Sequence, residues 1–187
     1  MLYFRALMER LPFQATAAGA LYENMGPLPV AVLLDNVRSM YNVGSFFRSM
    51  DAAGCEKLYL SGITARPPQR AITKTALGAE ETVPWEYTPD PAPCVEQLHA
   101  AGCEIAAIET SLHAIDLFDW QPRFPVCLLF GHEVDGLRPD LLARCDTHVR
   151  IPMLGRKHSL NVATAGGVVI YELLRKYRRM VENAKIR

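Results

Sequence analysis

The sequence predicts an α/β fold, with a mostly parallel sheet flanked by helices, and two observations carry that prediction. Short β-branched or leucine-rich runs alternate with helical segments from residue 30 onward, which is the pattern of strand and helix units laid in layers rather than of a bundle. The 187 residues are 50% apolar, enough for one ordinary domain with a sizeable core.

Residues 1–29 read as a helical lead-in closed by the turn-rich NMGPLP. VAVLL at 30–34 is the first expected strand, followed by KLYL (57–60), VPWEY (83–87), EIAAI (104–108), VCLLF (126–130) and THVRI (147–151). Between them, 44–53 reads as a helix with Phe46, Met50 and Ala53 on one face and Gly54 as its stop, and 94–101 as another before Gly102. The longest helix is expected over 162–185. The proline-rich PDPAPC at 89–94 is too short to separate domains, and no repeat or low-complexity tract interrupts the pattern.

Twenty basic and twenty acidic residues give zero formal net charge, so no global field attracts nucleic acid or a membrane, and an anionic ligand needs a local patch. Cys55, Cys94, Cys103, Cys127 and Cys145 are odd in number, scattered and never spaced as CxxC, which speaks against a disulfide framework and against zinc. The start MLYFRALMERLPF carries charges inside a short apolar stretch, unlike a signal peptide, and no run approaches the ~18 apolar residues a spanning helix needs. The expectation is a cytoplasmic protein with no membrane partner.

In open α/β sheets ligands bind beyond the carboxyl ends of strands, and three such places are chemically loaded. After VAVLL comes DNVRSMYNVGSFFR (35–48). Here Asn42 and Gly44 suit a tight turn at a helix start whose free amides favour an anion, and Arg48 lies about 200° around the helix from Phe46, off its apolar face. Arg48 is open to two readings, a phosphate contact or a solvated surface arginine. After VCLLF comes GHEVDGLRPDLL (131–142), in which Gly131 and Gly136 bracket His132, Glu133 and Asp135 before Pro139 opens a helix. This is neither a dinucleotide fingerprint nor a phosphate loop. With no third ligand at suitable spacing, Glu133 and Asp135 do not suggest a metal, and a glutamate that organises loop amides is the plainer reading. After THVRI, Pro152 stops the ladder and the loop IPMLGRKHSLN delivers Arg156, Lys157, Ser159 and Asn161 to the start of the last helix, which one of the last two could cap. His158 reads as a surface histidine.

Together NVGSFFR, FGHEVDGL and IPMLGRKHSLNVATA resemble, in order and content, the three motifs of the SpoU (TrmH-like) RNA 2′-O-ribose methyltransferases of the SPOUT superfamily, over about residues 28–180. The resemblance implies a parallel α/β sheet whose C-terminal segment is threaded into a deep trefoil knot, an exception to the rule that chains avoid knots. It implies S-adenosyl-L-methionine as cofactor, held by backbone groups at Gly131, Ile151 and Leu160, with Thr110 a further contributor. It implies RNA, tRNA or rRNA, as substrate and a homodimer as the working unit. Arg48, Glu133 and Asn161 would serve catalysis, and Asn42, Arg156, Lys157 and Ser159 would meet the substrate. Ala163, Ala165, Gly166 and Gly167 would let the last helix pack closely. Residues 1–27 would form an extension and 28–187 the methyltransferase domain. No separate RNA domain precedes it, so RNA selection would fall to the N-terminal segment, the basic residues near 175–180 and the second subunit. An inactive knotted RNA-binding protein and a generic nucleotide-binding α/β enzyme are the alternatives. The four motif residues Arg48, Glu133, Ser159 and Asn161 argue against the first, and the missing glycine signatures against the second.

Overall fold

In the computed structural model, which describes residues 26–185, the alternating runs form seven strands. These are β1 (Leu28–Asp35), β2 (Cys55–Ser61), β3 (Trp85–Thr88), β4 (Glu104–Ile108), β5 (Ile115–Asp116), β6 (Val126–Phe130) and β7 (Thr147–Arg150). They pair in the order β3-β2-β1-β6-β4-β7-β5, each with its neighbour in parallel. All five residues of the central strand β6 are buried, because both sheet faces are covered; that is why its sequence is continuously apolar rather than alternating.

The strand period of two divides the core. Val30, Val32 and Leu34 join Leu128 and Phe130 on the face covered by α1 (Met40–Ala53) and α6 (Val162–Lys185), through Phe46, Met50, Val169 and Leu173. Ala31, Leu33, Ile105 and Leu129 face α4 (Ala92–Ala100) and α5 (Pro139–Leu142), through Val95 and Leu141. The two short helices α2 (Arg70–Ala76) and α3 (Ala79–Thr82), and the two-residue β5, were not expected from the sequence.

Several boundaries differ from the sequence reading, each for a local reason. Of the lead-in expected over 1–29, residues 1–25 lie outside the described residues, and β1 already begins at Leu28. Helix α1 starts at Met40 rather than at 44, because Ser39 caps it, its Oγ accepting the Asn42 N–H at 3.3 Å. Asn42 and Gly44 are therefore inside the helix and form no turn. Gly44 is instead a point of close approach: a Cβ there would lie 2.1 Å from Thr75 Oγ1 and 2.3 Å from the Ile72 carbonyl oxygen. Helix α4 starts at Ala92, with a proline in its first turn. Strand β3 runs Trp85–Thr88, and β7 stops at Arg150, one residue before Ile151.

The far half of α6 is clipped to the sheet edge by Lys176, whose side chain is only 9% exposed. Its ammonium donates to the carbonyls of Leu117 at 2.8 Å, Phe118 at 3.3 Å and Trp120. The five cysteines are unpaired. Burial pushes the thiols of Cys55, Cys103 and Cys145 up to about 12 and that of Cys94 to about 11, so they stay protonated at neutral pH. Among the described residues, no helix is long and apolar enough to cross a membrane.

Candidate functional site

The neighbouring strands β6, β4 and β7 end side by side, and the segments that leave them, with the first turn of α6, enclose a cavity of about 450 Å³. Thr110, Gly131, Ile151 and Leu160, the four residues expected to hold a cofactor, all line it, as do Glu133, Ser159 and Asn161. Asn42, Arg48, Arg156 and Lys157 do not line it.

The segment after β6 is folded tightly on itself. His132 and Gly136 exchange backbone hydrogen bonds of 3.1 and 2.9 Å, and Gly136 sits at φ +71°, where L side chains are strained. A Cβ on Gly131 would lie 2.2 Å from the Gly136 carbonyl carbon, and one on Gly136 would lie 2.7 Å from Glu109 Oε1. Gly131 thus lets the loop fold back on its own backbone, and Gly136 lets it close over the Glu109 side chain at the end of β4. Inside the loop, His132 Nδ1 accepts the N–H groups of Val134 at 3.2 Å and Asp135 at 3.1 Å. The same Nδ1 lies 3.1 Å from Asp135 Oδ2.

Glu133 ties this loop to the first motif. Its Oε1 accepts the Ser39 N–H at 3.1 Å and the Asn42 Nδ2–H at 3.0 Å, and its Oε2 accepts the Arg38 N–H at 3.1 Å. The anion beside the start of α1 is therefore the protein's own carboxylate, which takes the Arg38 and Ser39 amides. Burial raises the Glu133 pKa, but the amides of Arg38, Glu133 and Ser39 and the Asn42 side chain outweigh it and hold the carboxyl below its usual value.

Asn42 continues the chain: its Oδ1 accepts from Asn161 Nδ2 at 3.1 Å. Asn161 Oδ1 in turn accepts the N–H groups of Ala163 at 3.0 Å and Thr164 at 3.2 Å, capping α6. Glu133, Asn42 and Asn161 are thus one relay that joins three segments far apart in sequence. Asn42 uses both ends of its amide within it and so bridges the other two.

The basic residues stand outside. Arg48 is exposed on α1, and Arg156 and Lys157 are exposed on the loop before α6; none has an ion-pair partner among the described residues. Near 175–180 the patch is smaller than the sequence suggests. Arg175 is held by Glu172 through contacts of 2.7 and 2.6 Å and Lys176 points inward, which leaves Arg178 and Arg179 exposed. Sequence reasoning passed over Glu109, which lines the cavity at the end of β4. Its only signal was an acidic residue directly after a buried strand.

The profile described as the SpoU rRNA Methylase family matches residues 29–171. The 23S rRNA (uridine(2479)-2′-O)-methyltransferase of Streptomyces viridochromogenes is 34% identical over 151 residues, 79% of this chain and 53% of that protein. The 23S rRNA (guanosine-2′-O-)-methyltransferase RlmB of Xanthomonas axonopodis pv. citri is 32% identical over 151 residues, 79% of this chain and 59% of that protein. Among solved structures, the SpoU methyltransferase AviRb from Streptomyces viridochromogenes in complex with AdoMet matches with a TM-score of 0.73 at 31% identity, covering 82% of this chain and 59% of that one. The chain spans little more than half the length of these relatives.

Proposed function

This chain belongs to the SpoU rRNA methylase family, and from that membership we propose that it is an S-adenosylmethionine-dependent RNA methyltransferase acting on a ribose 2′-hydroxyl of tRNA or rRNA. One observation carries the reading. The cavity wall holds two carboxylates, Glu109 and Glu133, and neither lysine nor arginine, whereas Arg48, Arg156 and Lys157 lie outside it. Such a lining suits a sulfonium cofactor with its positive sulfur and amino group, and repels the phosphates of ATP or NAD. The basic groups outside suit an RNA backbone.

In this reading backbone groups at Gly131, Ile151 and Leu160 hold the cofactor, with Thr110 beside them. When bound, S-adenosylmethionine supplies an electrophilic methyl group. As its oxygen takes the methyl, the 2′-hydroxyl releases its proton to solvent, and Arg48 is the charged group on the RNA side of this step. A guanidinium presents only N–H donors, so Arg48 clamps the neighbouring phosphate and stabilises developing charge on oxygen rather than removing the proton itself. Glu133 and Asn161 act through the loops they hold, with Asn42 between them. Ser159, Arg156 and Lys157 receive the RNA, together with Arg178 and Arg179.

Two further features belong to the proposal. The C-terminal segment is threaded as a deep trefoil knot, a reading supported by β7 pairing between the earlier strands β4 and β5. The working unit is a cytoplasmic homodimer, supported by Val168 and Tyr171 on α6 and Tyr41 on α1, which are 37%, 50% and 51% exposed; light scattering at micromolar concentration tests it, and an active monomer would contradict it. An inactive knotted RNA-binding protein is not supported, since the relatives above are named as methyltransferases. Calorimetry on the purified chain tests the cofactor: S-adenosylmethionine and S-adenosylhomocysteine bind at micromolar levels without added metal, and ATP and NAD do not. No heat from either sulfur compound would overturn the assignment.

A further inference from the structure

Glu109 is the first residue after β4, and the fold uses only half of its carboxylate. Its Oε1 accepts the Leu137 N–H at 2.7 Å, while its Oε2 has no protein partner among the described residues. No lysine or arginine pairs with it there. The carboxylate lines the cavity, and the Gly131–Leu137 segment is shaped around it, since any side chain on Gly136 would strike Oε1. One oxygen is anchored, which limits how the carboxylate can turn, and the second is left without a protein partner among the described residues.

We propose that Glu109 positions the cofactor by accepting hydrogen bonds from its ribose 2′,3′-diol through Oε2. This rests on the cofactor reading above. Three features favour the diol. Glu109 stands at the carboxyl end of a parallel strand, where acidic side chains in open α/β sheets take up ribose hydroxyls. The loop that closes on it is the loop expected to hold the cofactor, through Gly131. An anchored carboxylate with one free oxygen is also a directional acceptor, which suits neutral hydroxyls and loses little freedom on binding.

Glu109→Gln keeps the size of the side chain and an oxygen for the Leu137 N–H, so the loop stays in place; an unchanged melting temperature confirms that. Calorimetry on the full chain then compares S-adenosylhomocysteine, its 2′-deoxy and 3′-deoxy analogues, and 5′-methylthioadenosine, which keeps the ribose but lacks the amino-acid tail. Loss of hydrogen bonds to a charged acceptor weakens S-adenosylhomocysteine binding by about tenfold to a hundredfold in the variant. The same loss is expected for 5′-methylthioadenosine. The deoxy analogues bind wild type less well, and at least one of them shows little further loss in Glu109→Gln. Unchanged affinity of the variant overturns the inference. So does a loss that disappears with 5′-methylthioadenosine, which would give the carboxylate to the amino group, or a loss of full size with both deoxy analogues, which would make its role structural. If wild type binds none of these ligands, the cofactor reading itself falls, which is a distinct result.

Discussion

Two adjacent glycines on α6 should respond to the same substitution with opposite signs. At Gly166 a Cβ would lie 2.2 Å from Phe46 Cε1, and ordinary contact begins near 3.4 Å, so Gly166→Ala requires the ring or the helix to move by about 1 Å. Phe46 is fully buried and packs edge-on against Phe130, ring centroids 5.0 Å apart, and so cannot swing into solvent. Overpacking of this kind costs about 1–3 kcal/mol, offset by the roughly 0.5–1 kcal/mol that alanine gains over glycine inside a helix. The net is a destabilisation of up to about 2.5 kcal/mol, or a fall of up to ~10 °C in Tm for a chain of this size. At Gly167 the nearest atom is Ser49 Oγ at 3.9 Å, so only the helix gain remains and Tm should rise by ~1–4 °C. Thermal denaturation followed by circular dichroism, with urea titration as a second measure, reads both variants. Because Phe130 lines the cavity, Gly166→Ala should also weaken cofactor binding while Gly167→Ala leaves it alone. Equal shifts of the same sign in the two variants would refute the close contact between α6 and α1.

Arg48→Ala should lower methyl transfer by at least ~10²-fold and leave cofactor affinity nearly unchanged, the scale of losing one preorganised charge-stabilising group; transfer near normal at saturating cofactor would return Arg48 to the status of a solvated surface residue. Asn161→Ala removes the cap on α6, worth about 1 kcal/mol, and breaks the relay to Asn42, so stability, cofactor affinity and transfer should all fall; a change in stability alone would confine Asn161 to capping. The Glu133 carboxyl is held below its usual value, so its contribution to stability is complete above the unfolded value of ~4.3 and fades as pH drops through the lower folded value. The gap in denaturation midpoint between wild type and Glu133→Gln should therefore be widest near pH 7 and narrow only below about pH 4; a gap independent of pH would contradict the hydrogen bonds assigned to the anion.

Strands β4 and β6 and helix α6 have the bounds read from sequence, because EIAAI and VCLLF are unbroken apolar runs and α6 has a strong apolar stripe behind its Asn161 cap. The first turn of α1 was hidden by Asn42 and Gly44, residues that punctuate turns in most settings. Here one is a side-chain bridge and the other makes room for α2, and both are tertiary reasons. Helices α2 and α3 are too short to show an apolar period, and β5 is two residues long. In the site, the three motifs are brought together and all four residues expected at a cofactor line one cavity. What the sequence could not display is the wiring: that Glu133 spends its charge on α1, that Asn161 reaches 119 residues back to Asn42, and that Glu109 gives one oxygen to the Leu137 N–H and keeps the other free among the described residues. Each depends on strand order, which local patterns do not encode.

The central claim, that this chain moves a methyl group from a cofactor in the cavity to an RNA ribose outside it, is tested most directly by radiolabelled transfer. RNA from cells lacking the gene is incubated with the purified chain and S-adenosylmethionine labelled in the methyl group, then digested to nucleosides. The label should appear in a 2′-O-methylnucleoside, and should vanish with Arg48→Ala. Label recovered only on a base, or none on tRNA or rRNA while the protein binds the cofactor, would contradict it.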